Sequence, residues 1–272
     1  MGLVQAVVIG VTQGIFEWLP VSSEAVLTLV MTNFFHQSVN QALNGAIWLH
    51  TGTMLAALAY FRKDYLDLLK DIWVKTRNLE IKDIESYIKP DSTEENLIQF
   101  LVVSTFFTGL VGGPLYLFGL KEIHSETIFY MITAAALFLT GFLRLYQGST
   151  EREVDEVNWK DSVFVGFLQG FSIIPGISRS GTTTFGLLLD NFDAKTAFKL
   201  SFLMSVPAVL IGNIGVELFS DFTVSAELLL AALVAFIVGY LTIETILDIA
   251  DRAEIAWICF GLGILALAPL LL

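Results

Sequence analysis

Charged side chains, basic residues and cysteine are all scarce in this sequence. Asp, Glu, Lys and Arg make up 15% of its 272 residues, against about 25% in a soluble domain, which excludes an ordinary soluble fold. The single cysteine, Cys259, excludes an internal disulfide. The first 35 residues contain no Lys or Arg, so we expect no cleavable signal peptide. The net charge of −12 argues against nucleic acid as a partner, and the 55% hydrophobic content predicts a polytopic membrane protein.

Six long apolar segments are predicted to cross a membrane, because about 20 helical residues span roughly 30 Å of hydrocarbon. They are residues 43–61, 97–119, 128–147, 200–219, 225–247 and 255–272. Two further apolar regions, 3–35 and 162–190, are interrupted by Pro20 and Pro175. Proline disfavours helix in the preceding residue and lacks an N–H donor, so each region is predicted to form a re-entrant hairpin of two half-helices. The predicted fold class is therefore an all-α integral membrane protein with about six transmembrane helices and two re-entrant helical hairpins.

The positions of the basic residues agree with this topology. If the polar linker 62–96 is cytoplasmic, all 15 Lys and Arg except Lys121 and Arg179 fall on the cytoplasmic side, an asymmetry typical of multi-pass proteins. Both termini are then predicted to lie outside the cell membrane. Each half, 1–147 and 160–272, holds one hairpin and three spans, and an odd number of crossings inverts the second half. The sequence thus predicts a single membrane domain with an inverted repeat, whose hairpin tips meet near the midplane.

Two smaller patterns predict local packing. Apolar residues recur at helical spacing in the linker, which predicts an amphipathic helix at the membrane interface. They are Tyr65, Leu68, Leu69, Ile72 and Trp73. The second half of the linker is equally well interpreted as a solvated loop. Gly109, Gly112 and Gly113 are predicted to let neighbouring helices approach closely.

The first break, in the run QGIFEWLPVSSE at residues 13–24, carries carboxylates and hydroxyls. Gln13 and Glu17 are four residues apart and point to one face of a helix, and Gln13 is a candidate phosphate contact. Ser22, Ser23 and Glu24 follow the proline directly. Ionisable residues at membrane depth are costly and favour a functional interpretation. Ser23 is the candidate nucleophile or phosphate contact, whereas Ser22 is equally well a phosphate contact or the N-cap of the next half-helix.

The second break, in the run PGISRSGTT at residues 175–183, carries an arginine and hydroxyls. Exposed amides at a helix N-terminus bind anions, and the planar guanidinium of Arg179 suits phosphate oxygens. The candidate phosphate-binding residues here are Ser178, Ser180, Gly181, Thr182 and Thr183. At this depth Arg179 needs an anionic partner, either Glu17 or Glu24 in the empty site or phosphate in the filled one. The alternative is a structural Arg–Glu bridge between the two hairpins.

The runs at residues 175–183 and 13–23 resemble the undecaprenyl-diphosphate phosphatase family of the bacitracin-resistance type. The resemblance covers essentially the whole chain, including HTGT at residues 50–53. It implies an integral-membrane phosphatase that hydrolyses a polyprenyl diphosphate, of undecaprenyl or dolichyl type, to the monophosphate and phosphate. Such enzymes recycle the lipid carrier of envelope glycan synthesis. The resemblance aligns Gln13 and Glu17 with the family's acidic motif. It aligns Ser23 with the conserved serine and Arg179 with the phosphate-binding arginine.

Position 26 departs from the family pattern. Many bacterial members have a histidine three residues beyond the second serine, where this chain has Val26. Glu24 and Ala25 also replace the usual Thr-Gly pair. The resulting Ser-Ser-Glu-Ala run resembles archaeal relatives, which implies a lipid carrier of the dolichol type. The catalytic role of the missing histidine is therefore open. Glu24 could take an acid–base or metal-binding role, and His50 is a more distant substitute.

The predicted cofactor is a divalent cation, Mg²⁺ or Ca²⁺, because two carboxylates that face a diphosphate need countercharge beyond one arginine. Its predicted ligands are Glu17 and Glu24. The expected partners are an isoprenoid diphosphate lipid and the bilayer, with no nucleic acid and with a homodimer left open. The alternative function is a transporter or flippase that moves a phosphorylated isoprenoid lipid without hydrolysis, because inverted repeats with broken helices are a transporter architecture.

Overall fold

A computed structural model describes residues 2–19, 21–78, 85–119, 126–143, 145, 152–219, 223–249 and 255–270. Within these ranges the secondary structure is helical and contains no β-strand, so the predicted all-α class is confirmed. The α-helices are α1 (Leu3–Phe16), α2 (Ser23–Asn33), α3 (Val39–Tyr60), α4 (Arg62–Asn78), α5 (Thr93–Phe118), α6 (Glu126–Leu143), α7 (Trp159–Gly170), α8 (Arg179–Leu189), α9 (Ala194–Phe219), α10 (Ala226–Ile249) and α11 (Ile255–Leu267).

Some sequence predictions fall outside the described residues. These are Pro20, Lys121, the middle of the linker (79–84) and parts of the predicted spans 128–147 and 255–272.

Among the described residues, three helices are long and apolar enough to cross a membrane, and they lie within α5, α9 and α10. Shorter apolar helices are α1 and most of α6 and α11. The outer face of α5 is apolar, with Val102, Phe106 and Leu110 more than half exposed, as expected of a surface that contacts lipid. By contrast, α3 has the length of a span, but Asn44 and His50 lower its hydropathy. The described helices thus agree with a membrane protein.

Both predicted helix breaks are present. After α1 ends at Phe16, α2 begins at Ser23, and the hydroxyl of Ser22 caps it by accepting the Ala25 N–H at 3.2 Å. After α7 and a 3₁₀ turn at Phe171–Ile173, α8 begins at Arg179. Gly176, between them, has φ +104°, and a Cβ there would lie 2.4 Å from a neighbouring carbonyl oxygen, so the turn requires glycine.

The two halves of the chain pack reciprocally. The first helix of each hairpin lies against the second long helix of the other half, so that α1 packs on α10 and α7 packs on α5. Likewise α3 contacts α10, α9 contacts α5, and the pairs α3–α9 and α6–α11 join equivalent helices. This arrangement brings the two breaks together in the interior of the bundle.

A pair of glycines four residues apart makes each hairpin contact close. A Cβ on Gly10 or Gly14 would lie 2.5–2.9 Å from backbone atoms of α10. In the second half, a Cβ on Gly166 would lie 2.4 Å from a backbone oxygen of α5, and one on Gly170 would lie 2.4 Å from Val111. Small residues at this spacing let helix backbones approach each other in membranes. The GxxxG spacing of these two pairs is a sequence signal for such contacts.

The linker forms the helix predicted from its apolar spacing. In α4, Leu68 is buried against the bundle whereas Leu69 and Trp73 are at least 60% exposed. Tyr65 donates a hydrogen bond to the Leu203 carbonyl at 2.8 Å, and Lys75 forms an ion pair with Glu95 of α5. These contacts fix α4 to α5 and α9 while leaving an apolar face uncovered.

Candidate active site

A cavity of about 260 Å³ lies where the two hairpin tips meet. Its wall is formed by both tips together with α3, α5 and α9. The ionisable and hydroxyl side chains on this wall are Glu17, Ser22, Ser23, Glu24, His50, Thr108, Tyr116, Ser172, Ser178, Arg179 and Ser180. Most of the side chains that were predicted separately for the two breaks therefore surround one space.

Glu17, just after the end of α1, is the centre of the polar contacts. Its Oε1 accepts a hydrogen bond from Nη2 of Arg179 at 2.5 Å. Its Oε2 accepts hydrogen bonds from Ser23 Oγ at 2.8 Å and Gln13 Nε2 at 3.0 Å, and it lies 3.1 Å from His50 Nε2. Because the carboxylate is only 5% exposed, these donors replace the water that burial removes.

Arg179 joins the two tips through this contact. Its Nη1 donates to the Ser201 carbonyl at 3.1 Å, while Nη2 is held by Glu17. The prediction that Arg179 has an anionic partner is confirmed, and the partner is Glu17. A guanidinium has five N–H donors, so Arg179 has further donors to offer a ligand in the cavity.

Gln13 lies behind Glu17 and does not form part of the cavity wall. Its side chain is fully buried, and Nε2 lies 3.0 Å from Glu17 Oε2 and 3.1 Å from Thr53 Oγ1. The predicted common face of Gln13 and Glu17 on one helix is confirmed. Gln13, a predicted phosphate contact, does not reach the cavity, and the geometry makes it a residue that positions Glu17.

Ser22 and Ser180 fasten the tips to each other. In addition to capping α2, the Ser22 oxygen accepts the N–H of Gly176 at 3.1 Å. In return, the Ser180 hydroxyl donates to the Leu19 carbonyl at 3.2 Å. Of the two roles that the sequence left open for Ser22, the N-cap is present in the structure. Both serines line the cavity, but their hydroxyls already hold the tips in register.

The other hydroxyls of the second tip mostly serve their own helix. Ser178 caps α8 by accepting the Gly181 N–H at 3.0 Å. The hydroxyl of Thr182 donates to the Ser178 carbonyl at 3.0 Å, and that of Thr183 donates to the Arg179 carbonyl at 2.8 Å. Of these predicted phosphate contacts, Ser178 reaches the cavity wall, whereas Gly181, Thr182 and Thr183 do not.

Glu24 and His50 complete the polar end of the cavity. Glu24 is 8% exposed, and its Oε1 has no hydrogen-bond partner among the described residues. His50 Nε2 lies 3.3 Å from Ser23 Oγ. The sequence placed His50 second to Glu24 as a substitute for the missing histidine, yet the structure brings His50 into contact with both Ser23 and Glu17.

The carboxylates provide only part of a metal site. Within the described ranges, no group of three or more His, Cys, Asp or Glu side chains has the geometry to hold a metal ion. Both oxygens of Glu17 are engaged by Arg179, Ser23 and Gln13, whereas Oε1 of Glu24 is buried and has no hydrogen-bond partner among the described residues. Mg²⁺ often takes most of its ligands from substrate phosphates and water, and one free carboxylate fits that mode of binding.

Away from the hairpin tips the cavity wall is mainly apolar and is shaped by glycines. A Cβ on Gly109, Gly113 or Gly215 would have nothing within 4 Å, although all three line the cavity. Gly112, by contrast, packs against the Gly170 carbonyl, to which a Cβ would lie at 3.2 Å. The close-packing prediction is right for Gly112 and wrong for Gly109 and Gly113, which leave space between α5 and α9. The cavity therefore has one charged end and one apolar end.

Several residues of the site were not predicted from sequence. Gln169 is the counterpart of Gln13 in the repeated Gln-Gly pair, and its Nε2 donates to Thr108 Oγ1 at 2.9 Å. Thr53, which supports Gln13, lies in the HTGT run. The Gln-Gly pair at 13–14 and 169–170 could have marked Gln169, and the HTGT run could have marked Thr53. No sequence pattern marks Ser201, whose carbonyl holds Arg179.

The fold and the site define an all-α membrane protein with a buried Arg–Glu–Ser cluster that can receive a phosphate group. The family described as bacitracin resistance protein BacA matches residues 6–265, and the chain belongs to this family.

Curated relatives match along nearly their whole length. An undecaprenyl-diphosphatase of Methanococcoides burtonii is 38% identical over 273 residues, and the match covers 100% of this chain and 100% of that relative. One from Methanothrix thermoacetophila is 35% identical, over 98% of this chain and 97% of its own. Undecaprenyl-diphosphatase 2 of Halalkalibacterium halodurans, a bacterial relative, is 33% identical over 97% of this chain and 95% of its own.

Proposed function

We propose that this protein hydrolyses a polyprenyl diphosphate, of undecaprenyl or dolichyl type, to the monophosphate and phosphate, and so recycles a glycan lipid carrier. The observation that carries this proposal is the hydrogen bond from Ser23 to Glu17, whose other oxygen holds Arg179. A hydroxyl, a carboxylate and a guanidinium on one cavity wall can act as nucleophile, orienting base and phosphate ligand in phosphoryl transfer. The names of the relatives support the same activity.

In the proposed reaction, Ser23 attacks the terminal phosphorus. Its oxygen forms a bond to phosphorus as the anhydride P–O bond breaks, and the polyprenyl monophosphate leaves. Water then hydrolyses the phosphoserine and releases phosphate. Glu17 orients the hydroxyl by accepting a hydrogen bond from it at 2.8 Å. Arg179 stabilises the negative charge on the transferring phosphoryl group with donors that are already in place.

The apolar end of the cavity supports an isoprenoid chain as the rest of the substrate. Gly109, Gly113 and Gly215 leave room between α5 and α9, and Ile47, Val209 and other apolar residues line the wall. In this arrangement the diphosphate lies at the hairpin tips and the chain extends between the two helices. Binding energy from the isoprenoid chain of the substrate then holds the reacting phosphorus near Ser23.

Phosphate release by purified protein in detergent micelles tests the function. The substrates are undecaprenyl and dolichyl diphosphate, each assayed with and without the protein. We expect inorganic phosphate and the lipid monophosphate in equal amounts. Because micelles have neither a second leaflet nor a gradient, transport cannot produce this signal. Binding of the lipid without any release would favour the flippase alternative.

Arg179→Lys is expected to lower the rate of phosphate release by about 10- to 100-fold. Lysine keeps the charge but loses the planar fork that can bind two phosphate oxygens, and each 1.36 kcal/mol of lost transition-state stabilisation is a factor of ten in rate. The matched control is Arg62→Lys, the same exchange at an exposed position at the start of α4, which should leave the rate unchanged. A normal rate in Arg179→Ala would show that the guanidinium does not contact the phosphate.

The predicted divalent cation, Mg²⁺ or Ca²⁺, is proposed to enter with the diphosphate and to be held on the protein by Glu24. When bound, it would neutralise charge on the diphosphate oxygens. We expect a chelator to lower phosphate release by at least about tenfold, and added Mg²⁺ or Ca²⁺ to restore it. Glu24→Gln should weaken the response to the cation. An unchanged rate after exhaustive chelation would remove the cation from the proposal.

We propose that α3, α5, α6, α9, α10 and α11 cross the cell membrane and that the two hairpins enter it from opposite faces. The reciprocal packing of the halves 1–147 and 160–272 supports this inverted repeat. The basic residues support a cytoplasmic linker 62–96 and external termini.

Single cysteines introduced into a Cys259→Ser background test this topology. We expect Lys70→Cys, at an exposed position of α4, to react with an impermeant maleimide only from the cytoplasmic side. Ser125→Cys, outside the described residues, should react only from the external side. Reaction of both positions from the same side would overturn the inverted arrangement.

A further inference from the structure

His50 is the ionisable group of the cavity for which the proposed reaction has no role. It projects from α3, with its side chain 16% exposed on the cavity wall. Its Nε2 lies 3.3 Å from Ser23 Oγ and 3.1 Å from Glu17 Oε2. Since Val26 occupies the position of the family's histidine, no other imidazole is present on this wall among the described residues.

The contact of the other ring nitrogen fixes which nitrogen can exchange a proton. His50 Nδ1 lies 2.7 Å from the Ala46 carbonyl oxygen, one turn earlier in α3. A carbonyl oxygen only accepts hydrogen bonds, so Nδ1 carries a proton. In the neutral ring Nε2 is then the unprotonated nitrogen, and it faces the Ser23 hydroxyl. This carbonyl thus orients the ring in the way that the buried carboxylate does in a Ser–His–Asp triad.

Glu17 is a poor final acceptor for the Ser23 proton. Protonation of its carboxylate would leave Arg179 without its counter-ion in a buried site, which is costly. A proton on His50 Nε2 has the opposite effect, because the imidazolium lies beside the Glu17 carboxylate and donates to it over 3.1 Å. The ionised Glu17 therefore stabilises Arg179 and a charged His50 together.

We propose that His50 is a catalytic residue that accepts the proton of Ser23. The Ser23 hydroxyl donates to Glu17 in the resting site, so it first turns toward Nε2, 3.3 Å away. As the Ser23 oxygen then bonds to phosphorus, its proton moves to Nε2, and the electron pair of the breaking anhydride bond goes to the lipid monophosphate. In the second step the neutral ring, after its proton has left with the product, takes a proton from the water that attacks the phosphoserine. A histidine on α3 thus replaces one on α2. This inference rests on the proposed phosphatase activity.

His50→Gln is the test, because glutamine keeps a hydrogen-bonding side chain but cannot take up a proton at neutral pH. We expect kcat to fall by about 100-fold or more with little change in KM. The control is His36→Asn, an exposed histidine with φ +55°, a conformation that asparagine tolerates.

Two further readouts separate chemistry from folding and from the function itself. In His50→Ala, free imidazole is expected to restore part of the rate, which a purely structural histidine would not allow. A normal kcat in His50→Gln would overturn the role of His50 and leave the phosphatase activity standing. Absence of phosphate release by the wild type would instead overturn the proposed function.

Discussion

Glu17→Gln is expected to lower phosphate release by about 10³- to 10⁴-fold, the range for loss of a group that orients or receives a proton in catalysis. The amide cannot carry the charge that pairs with Arg179 at 2.5 Å. It also presents N–H donors where Ser23 and Gln13 now donate to Oε2. One substitution therefore removes the orientation of the Ser23 nucleophile. It also removes the negative charge that stabilises Arg179 and the protonated His50. The measurement is phosphate release under single-turnover and steady-state conditions.

The same substitution is expected to destabilise the protein, and this effect must be separated from the chemistry. Removing one partner of a buried ion pair costs about 3–5 kcal/mol, because the other charge stays buried. In Glu17→Gln/Arg179→Gln neither charge is left unpaired, so part of the lost thermal stability should return while activity does not. The control is Glu217→Gln, at an exposed position of α9. A folded Glu17→Gln variant with more than a tenth of the normal rate would contradict the assignment.

Local sequence patterns predicted the parts of the site that lie within one segment. The proline breaks, the common face of Gln13 and Glu17, and the N-cap at Ser22 all depend on neighbours a few residues away, where helix geometry fixes the outcome. The ion pair of Arg179 joins distant residues, yet a partner at the first break was predictable, because a buried arginine requires an anion and few carboxylates lie at this depth. The sequence left Glu17 and Glu24 open, and the structure selects Glu17.

Contacts chosen by helix packing could not be predicted in the same way. His50 reaches Ser23 only because α3 lies beside α2 with a particular rotation, and no pattern within α3 encodes that rotation. Thr182 and Thr183 look like an anion cradle in sequence. In the helix their hydroxyls bond to carbonyls three or four residues earlier, a competition common for threonine. Gly109 and Gly113 show that a small-residue stripe can border a cavity as well as a helix contact.

The polar contacts between the tips also explain why the site needs both halves of the chain. Ser22 accepts an amide of the second tip, and Ser180 donates to a carbonyl of the first. The carboxylate that orients Ser23 is contributed by one hairpin and the guanidinium by the other. A shift of either hairpin would separate nucleophile from phosphate ligand, so the reciprocal packing and the catalytic geometry depend on each other.

Ser23→Ala is expected to lower phosphate release by at least about 10³-fold, because it removes the atom that attacks phosphorus, as loss of the nucleophile does in serine hydrolases. Glu17, His50 and Arg179 remain, so the variant should still bind the lipid diphosphate with an affinity near that of the wild type. The measurement combines phosphate release with binding of radiolabelled lipid. In the wild type, rapid quenching with substrate labelled in the terminal phosphate should trap labelled phosphoserine at position 23.

Ser22→Ala is the matched control for this prediction, because the two serines are adjacent but only Ser23 donates to Glu17. Loss of the Ser22 cap should cost about 0.5–2 kcal/mol of stability, and loss of its contact with the Gly176 amide adds to that cost, while a large part of the rate is kept. A loss of less than tenfold in Ser23→Ala, together with no trapped label, would make water the direct nucleophile. The Ser23 hydroxyl would then only position that water, and the charges on Glu17 and Arg179 would carry most of the catalysis.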